Sequence, residues 1–296
     1  MTQAAQKLAQ PRPWVSLPEL DEGQFLQWRQ LLATRGGIHI PAERRDFLAS
    51  GLRERMRATG CGGYQAYFDY LQEGRRLAEW SLLVDRITVH ETRFFRHPPS
   101  FRLLRDRLLP DFLAAEPDHG FHAWSIGCAT GEEAYSLAML LDEALAERDA
   151  GYGVTATDLS QPALRRAREA RYPVRRLEDI EPGLRDSYCV AEADGGFRIC
   201  ATLRRRVCFA RQNIVELDDF PLERLDLIFC QNMLIYFPRE TRCSLLDRLV
   251  GRLRPGGVMV LGPADVPAWA HPEMERIRFA GTLAYRRRGA ATDGKG

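Results

Sequence analysis

Beyond Phe121 the sequence alternates short apolar runs with helical stretches, and few folds accept that order. "FHAWSIG" precedes a helix over Glu132–Leu145, and "YGVTATD" precedes a helix from Gln161 to Ala170. "RVCFARQN" and "LDLIFCQN" come next, then a helix from Arg239 to Leu253 and a last run, "GVMVLGP". Strands alternating with helices predict a doubly wound parallel sheet in an α/β domain. Between Arg171 and Arg206 the alternation breaks. There "SYCVAEADGGFRICATL" predicts a hairpin turning at Asp194-Gly195-Gly196, inserted between two units of the sheet.

The chain before this region has a different period. Phe25, Trp28, Leu31 and Leu32 share one helical face, and Phe47, Leu48, Leu52 and Met56 a second. Tyr64, Tyr67, Phe68 and Leu71 form a third, and Trp80, Leu83, Val84 and Ile87 a fourth. Gly36-Gly37 and the glycines from Gly60 to Gly63 punctuate them. The expected division is a polar arm over 1–20, a helical domain over 21–90, the sheet domain over 91–288 with its β insert at 172–206, and a polar tail over 289–296.

Charge and cysteine usage narrow the function. The formal net charge is +2 and only Lys7 and Lys295 are lysines, which gives no footprint for a nucleic-acid binder. The seven cysteines are scattered, with no C-x-x-C pair, as in reduced cytoplasmic proteins. No apolar run approaches the roughly 20 residues that cross a bilayer, and the start "MTQAAQKLAQPRPW" has no apolar signal core. The expected location is the cytoplasm, without membrane insertion. His119 and His122 have a metal-like spacing but no evident third ligand.

In open α/β sheets, ligands lie at the carboxyl ends of the strands. Three such ends carry polar chemistry: the Gly127–Gly131 loop "GCATG", Asp158 and Asn232. The loop lacks both G-x-G-x-x-G spacing and a G-K-[ST] ending. It runs into Glu132 and Glu133, which would repel a phosphate and attract a ligand with a cationic end. S-adenosylmethionine has a sulfonium, an ammonium and no phosphate. Glu133 suits its aminoacyl end, and Asp158 its two ribose hydroxyls. Taken singly, these acids are equally well explained as helix-start residues.

"TRFFR" (Thr92–Arg96), "WSIGCATGEEAYSLAM" (Trp124–Met139), "ATDLSQPALRRAR", "FARQNI", "IFCQNMLIYF" and "LRPGG" together resemble the chemotaxis-receptor methyltransferases of the CheR type, over roughly residues 25–287. The resemblance implies a helical N-terminal domain and a Rossmann-like S-adenosylmethionine methyltransferase domain with a small antiparallel β insert. It also implies methylation of glutamate side chains on the cytoplasmic helical bundle of a methyl-accepting chemoreceptor. By position it assigns His90, Thr92, Arg96, Gly127, Glu133, Asp158, Asn213, Ile214, Gln231 and Asn232 to the cofactor, and Arg96 and Tyr236 to catalysis. Arginines between Arg44 and Arg57 would then meet the acidic receptor. The sequence departs from the family's usual Asn at His90, from its Arg at Gln231, and from Gly-His-Ser-Glu at Gly262-Pro263-Ala264-Asp265. The first two departures bear on cofactor affinity, and a pilus-type chemosensory branch is one reading of the third.

Two alternatives stand beside this reading. One is a methyltransferase of another substrate, although no Asn/Asp-Pro-Pro-aromatic segment for base methylation follows the fourth strand. The other is a non-catalytic adapter that binds both cofactor and receptor.

Overall fold

The computed structural model describes residues 19–88, 91–115, 119–145, 151–217, 220–265 and 269–289. Most of the expected arm and tail, and His90, lie outside them.

Four helices open the chain: α1 (Glu22–Gly36), α2 (Arg45–Thr59), α3 (Tyr64–Gln72) and α4 (Leu77–Ile87). The Asp21 carboxylate caps α1 by accepting the Gln24 N–H at 2.7 Å, worth about 1 kcal/mol. Gly37 and Gly60, at φ 65° and 76°, end α1 and α2 in the left-handed conformation that glycine adopts without strain. Trp28, Leu48, Leu52, Met56, Tyr67, Trp80 and Leu83 form one core between the helices. Phe47 departs from its expected face and stands 38% exposed beside buried Leu48.

A kinked helical rod follows, made of α5 (Pro98–Leu103), a π turn over Leu104–Leu108 and α6 (Leu109–Ala114). The π turn has a local cause. Pro110 has no N–H to give the carbonyl four residues earlier, and Leu109 N–H reaches back five residues to Leu104 O.

The sheet strands are β1 (Phe121–Ile126), β2 (Tyr152–Asp158), β6 (Val207–Arg211), β7 (Leu225–Cys230), β8 (Leu253–Leu261), β9 (Met274–Ile277) and β10 (Leu283–Arg287). Their order is β6-β2-β1-β7-β8-β10-β9. The first five pair in parallel, whereas β10 runs against both β8 and β9. Helices α7 (Glu132–Leu145), α8 (Gln161–Glu169) and α11 (Arg239–Val250) cover the faces. Leu137 and Leu141 pack with Val154 and Phe229 on one side, and Leu246 and Leu249 with Trp124 and Ile228 on the other. The strand order reverses beside β1, so the crevice for a ligand opens at the carboxyl ends of β1 and β7. The last helix stops at Val250, short of the expected Leu253, because Leu253 already begins β8.

The insert holds β3 (Arg171–Pro173), α9 (Pro182–Tyr188), β4 (Cys189–Ala191), β5 (Gly196–Ile199) and α10 (Ala201–Arg206). The predicted hairpin is β4–β5, turning through Gly195 at φ 82°. A third strand, β3, pairs with the other edge of β5. Tyr152 and Tyr188 both donate to Asp142, at 2.7 and 3.1 Å, which ties the insert to α7.

The helical domain docks on the sheet domain through α4 and α8. Ser160 caps α8 by accepting the Ala163 N–H at 3.1 Å and gives its own proton to Asp85 of α4. No helix of the described residues is long and apolar enough to cross a membrane. His119 is hydrogen-bonded to Asp226 at 3.2 Å.

Candidate active site

The Gly127–Gly131 loop lies across the end of β2. Gly127 and Cys128 N–H groups donate to Thr157 O at 2.8 and 3.0 Å. Gly127 has φ 74°, and a Cβ there would stand 3.0 Å from Met233 Cγ. Gly131, at φ 94°, brings the start of α7 so close to α8 that a Cβ would lie 2.9 Å from that of Ala167. Glycine is required at both points. Phe95, Ala129 and Asn232 also hold positive φ. All three sit in loops around this crevice, at a cost of about 1 kcal/mol each.

Carboxylates ring the loop. Asp158 accepts the Ala129 N–H at 2.9 Å on one oxygen and the Ser160 N–H at 2.8 Å on the other. Each oxygen keeps a second lone pair, as two ribose hydroxyls require. Glu133 accepts the Ser125 hydroxyl at 2.7 Å. Its carboxyl keeps some accessible surface, yet protein surrounds it, and desolvation pushes it up to about 8; Ser125 and the Arg96 charge pull the other way. Buried Glu132 is also raised, by desolvation, and accepts the Thr130 hydroxyl at 2.6 Å. Burial, Asp158 and Glu133 together push the Cys128 thiol well up. Such a crevice is short of positive charge.

A second cavity of about 440 Å³ adjoins it, lined by Glu91, Thr92, Arg93, Arg96, His97, Arg176 and Asn232. Arg96 donates to Glu91 O at 2.6 Å, and Phe95 N–H donates to Ser136 Oγ of α7 at 3.0 Å. The first bond closes the segment on itself, and the second fixes it against α7 of the sheet domain. Phe94 packs edge-on to Tyr172 at 4.9 Å, so the same segment also holds the insert. Arg176 comes from the insert.

The structure brings Thr92, Arg96, Gly127, Glu133, Asp158 and Asn232 around this paired site. Gln231 is buried beside it, and its Oε1 has no hydrogen-bond partner among the described residues. Asn213 donates to Glu216 of its own loop at 3.2 Å, and Ile214 belongs to the core behind β1. Tyr236 lines a neighbouring groove with Arg29, His39 and Arg44, and the Arg44 guanidinium lies 5.8 Å from its ring centre. That groove runs between the helical domain and the loop after β7.

Sequence reasoning missed Arg93, His97, Arg176 and Ser125. It quoted Asp265 only as a departure. Asp265 is fully buried and accepts N–H groups of Gly262, Asn232 and Ile235, at 2.8, 3.2 and 3.2 Å. It thereby shapes the loop that carries Asn232 and Tyr236.

Residues 90–280 match the family model described as CheR methyltransferase, SAM binding domain, and residues 23–88 match CheR methyltransferase, all-alpha domain. The chain belongs to the CheR methyltransferase family. "Chemotaxis protein methyltransferase 2" of Pseudomonas aeruginosa is 33% identical over 244 residues, covering 81% of this chain and 85% of its own. "Chemotaxis protein methyltransferase" of Salmonella typhimurium is 30% identical over 250 residues, covering 83% and 84%. The Escherichia coli protein of the same name is 29% identical over 269 residues, covering 90% and 91%. This CheR chain is an S-adenosylmethionine-dependent methyltransferase. Its crevice fits that cofactor on independent grounds: a carboxyl that desolvation pushes up to about 8, a ribose-ready aspartate and a crowded glycine loop.

Proposed function

We propose that this methyltransferase esterifies glutamate side chains on a cytoplasmic chemoreceptor bundle. The observation that carries the reading is the change of sign across the site. Carboxylates line the cofactor crevice, whereas three arginines, Arg93, Arg96 and Arg176, against the single carboxylate Glu91 line the adjoining cavity, and Asn232 stands on its wall. An anionic acceptor belongs in the second, beside a cationic donor in the first.

When bound, S-adenosylmethionine supplies an electrophilic methyl on a sulfonium. Glu133 and Asp158 would hold its ammonium and ribose ends, with Gly127 giving close backbone approach and Thr92, Gln231 and Asn232 walling the methionine portion. Asn213 and Ile214 would flank the adenine. A glutamate carboxylate is already ionised at neutral pH, so no side chain has to remove a proton. Arg96 orients the carboxylate through its planar fork. Tyr236 sits where the polypeptide bearing that glutamate would enter, between the helical domain and the post-β7 loop. The helical domain (21–90) and the insert (172–206) select the receptor.

Not every arginine of α2 is available for that contact. Arg53 donates to Tyr64 Oη at 2.9 Å, and Arg55 is paired with Glu79. Arg44, on the Tyr236 groove, is the better candidate.

The test is methylation of native-organism membranes with methyl-labelled cofactor, followed by peptide mapping. Alkali-labile label on receptor glutamates is expected. Alkali-stable label, or label confined to small molecules, would sink the reading.

A further inference from the structure

His97 follows Arg96 directly and lies just before α5. Its Nδ1 is 2.9 Å from Ser100 Oγ. Gln231, 131 residues away in sequence, donates its Nε2 proton to the same oxygen at 3.1 Å. Ser100 is completely buried and Gln231 is 8% exposed. His97 lines the basic cavity with Arg96, Arg93, Arg176 and Asn232.

This string of bonds admits a consistent direction. A hydroxyl has one proton and two lone pairs. With one Ser100 lone pair taking the Gln231 amide proton, the Ser100 proton is free to go to His97 Nδ1, and we assign that arrangement. An imidazole accepting at Nδ1 carries its own proton on Nε2. Burial, and after it the Arg102 charge, hold His97 below its ordinary pKa, which favours the neutral ring.

We propose that His97 is a specificity-determining residue whose Nε2–H donates to the substrate carboxylate, and that Ser100 and Gln231 are positioning residues that fix its tautomer. The inference rests on the glutamate reading of the basic cavity. Its physical sense is selection of glutamate over glutamine. The three guanidinium groups and an imidazole N–H present donors to the cavity, although Glu91, Thr92 and Asn232 share its wall. A carboxylate accepts on both oxygens, whereas an amide would turn its own NH₂ against a donor. The opposite tautomer would present an acceptor and admit the amide. A neutral donor also orients the carboxylate with less quenching of its nucleophilicity than a fourth cation would cause.

Two measurements test this. Long-range ¹H–¹⁵N spectra of histidine-labelled protein should show His97 as the Nε2–H tautomer, with Ser100→Ala giving a tautomer mixture. An Nδ1–H ring in the wild type overturns the proposal without reference to activity. In kinetics, His97→Ala should raise KM for the receptor about 10-fold and leave cofactor affinity unchanged. It should also erase the preference of the free enzyme for Glu-containing over Gln-containing receptor peptides as competitors. His97→Gln, which keeps a donor, should recover most of the KM. If the wild type esterifies glutamate and His97→Ala changes neither KM nor that preference, this proposal alone fails. If the wild type labels no glutamate, the functional reading fails and takes this one with it.

Discussion

Ser125 gives its hydroxyl proton to Glu133 at 2.7 Å, from the carboxyl end of a strand to the first turn of the helix that follows it. That one bond does not compensate the burial of a carboxyl raised from 4.5 to about 8. Between those two values the folded, ligand-free protein binds a proton that the unfolded chain releases. Its stability therefore falls as pH climbs through this window. A cationic ligand reverses the balance by expelling the proton. Affinity for S-adenosylmethionine should rise with pH, by at most about tenfold per unit, and level off above pH 8. Calorimetry in buffers of different ionisation enthalpy should record release of up to one proton near neutrality. Glu133→Gln should abolish the release and weaken binding at high pH roughly 10-fold or more, the worth of a charged hydrogen bond. Equal proton release from the variant would assign the proton elsewhere.

Asp265 offers a second test, of the loop rather than the charge. Two of its backbone donors, Gly262 and Asn232, meet Oδ2, and Ile235 meets Oδ1. Asp265→Asn can keep one oxygen only, so at least one N–H must face an NH₂ group. The expected cost is about 1–3 kcal/mol in urea unfolding. Cofactor affinity should drop with it, since Asn232 moves with that loop. Asp265→Ala should be worse in both measurements, because all three donors lose their acceptor.

The parts of this fold that were legible in the sequence are those where burial writes a period. All six residues of β7 are buried, and "LDLIFC" reads as a strand at sight. The helix at 98–114 was not legible, since Pro110 and its π turn shift the face midway through. Phe47 was misplaced because period alone cannot separate the edge of an apolar face from its centre. At the site, the glycine loop, Glu133 and Asp158 announce themselves by where they fall after strands. Gln231 was named only by resemblance, and its bond to Ser100, 131 residues away, leaves no trace in spacing; the same holds for Arg176, which comes to the cavity from the insert.

Arg55 and Glu79 separate structure from function in α2. Arg55 reaches both carboxylate oxygens, at 2.9 and 2.7 Å, and Tyr67 donates to Glu79 at 2.8 Å. Arg55→Ala should destabilise the helical domain by about 2–3 kcal/mol. That is less than the 3–5 typical of a fully buried pair, because both side chains keep some contact with water. Adding Glu79→Gln should recover part of the loss, since the amide oxygen still takes the Tyr67 proton and no charge is stranded. Cofactor affinity of the folded variants should match the wild type. A loss of receptor methylation in Arg55→Ala that persists after stability is restored would return Arg55 to the receptor surface.

Arg96 is the residue on which cofactor and substrate roles compete. It is near enough to oppose the rise in the Glu133 carboxyl's pKa, and it lines the basic cavity. If its main work is to orient the acceptor carboxylate, Arg96→Ala should lower kcat by about 10²–10³, the usual loss for a donor aimed at reacting atoms. Cofactor Kd should then change by no more than about threefold. Arg96→Lys should recover little, since an ammonium lacks the fork that matches two carboxylate oxygens. Removing the guanidinium also withdraws the positive charge facing Glu133, so the proton released on cofactor binding should persist to higher pH. A parallel fall in kcat and in cofactor affinity would place Arg96 on the cofactor and leave the carboxylate to His97 and its neighbours.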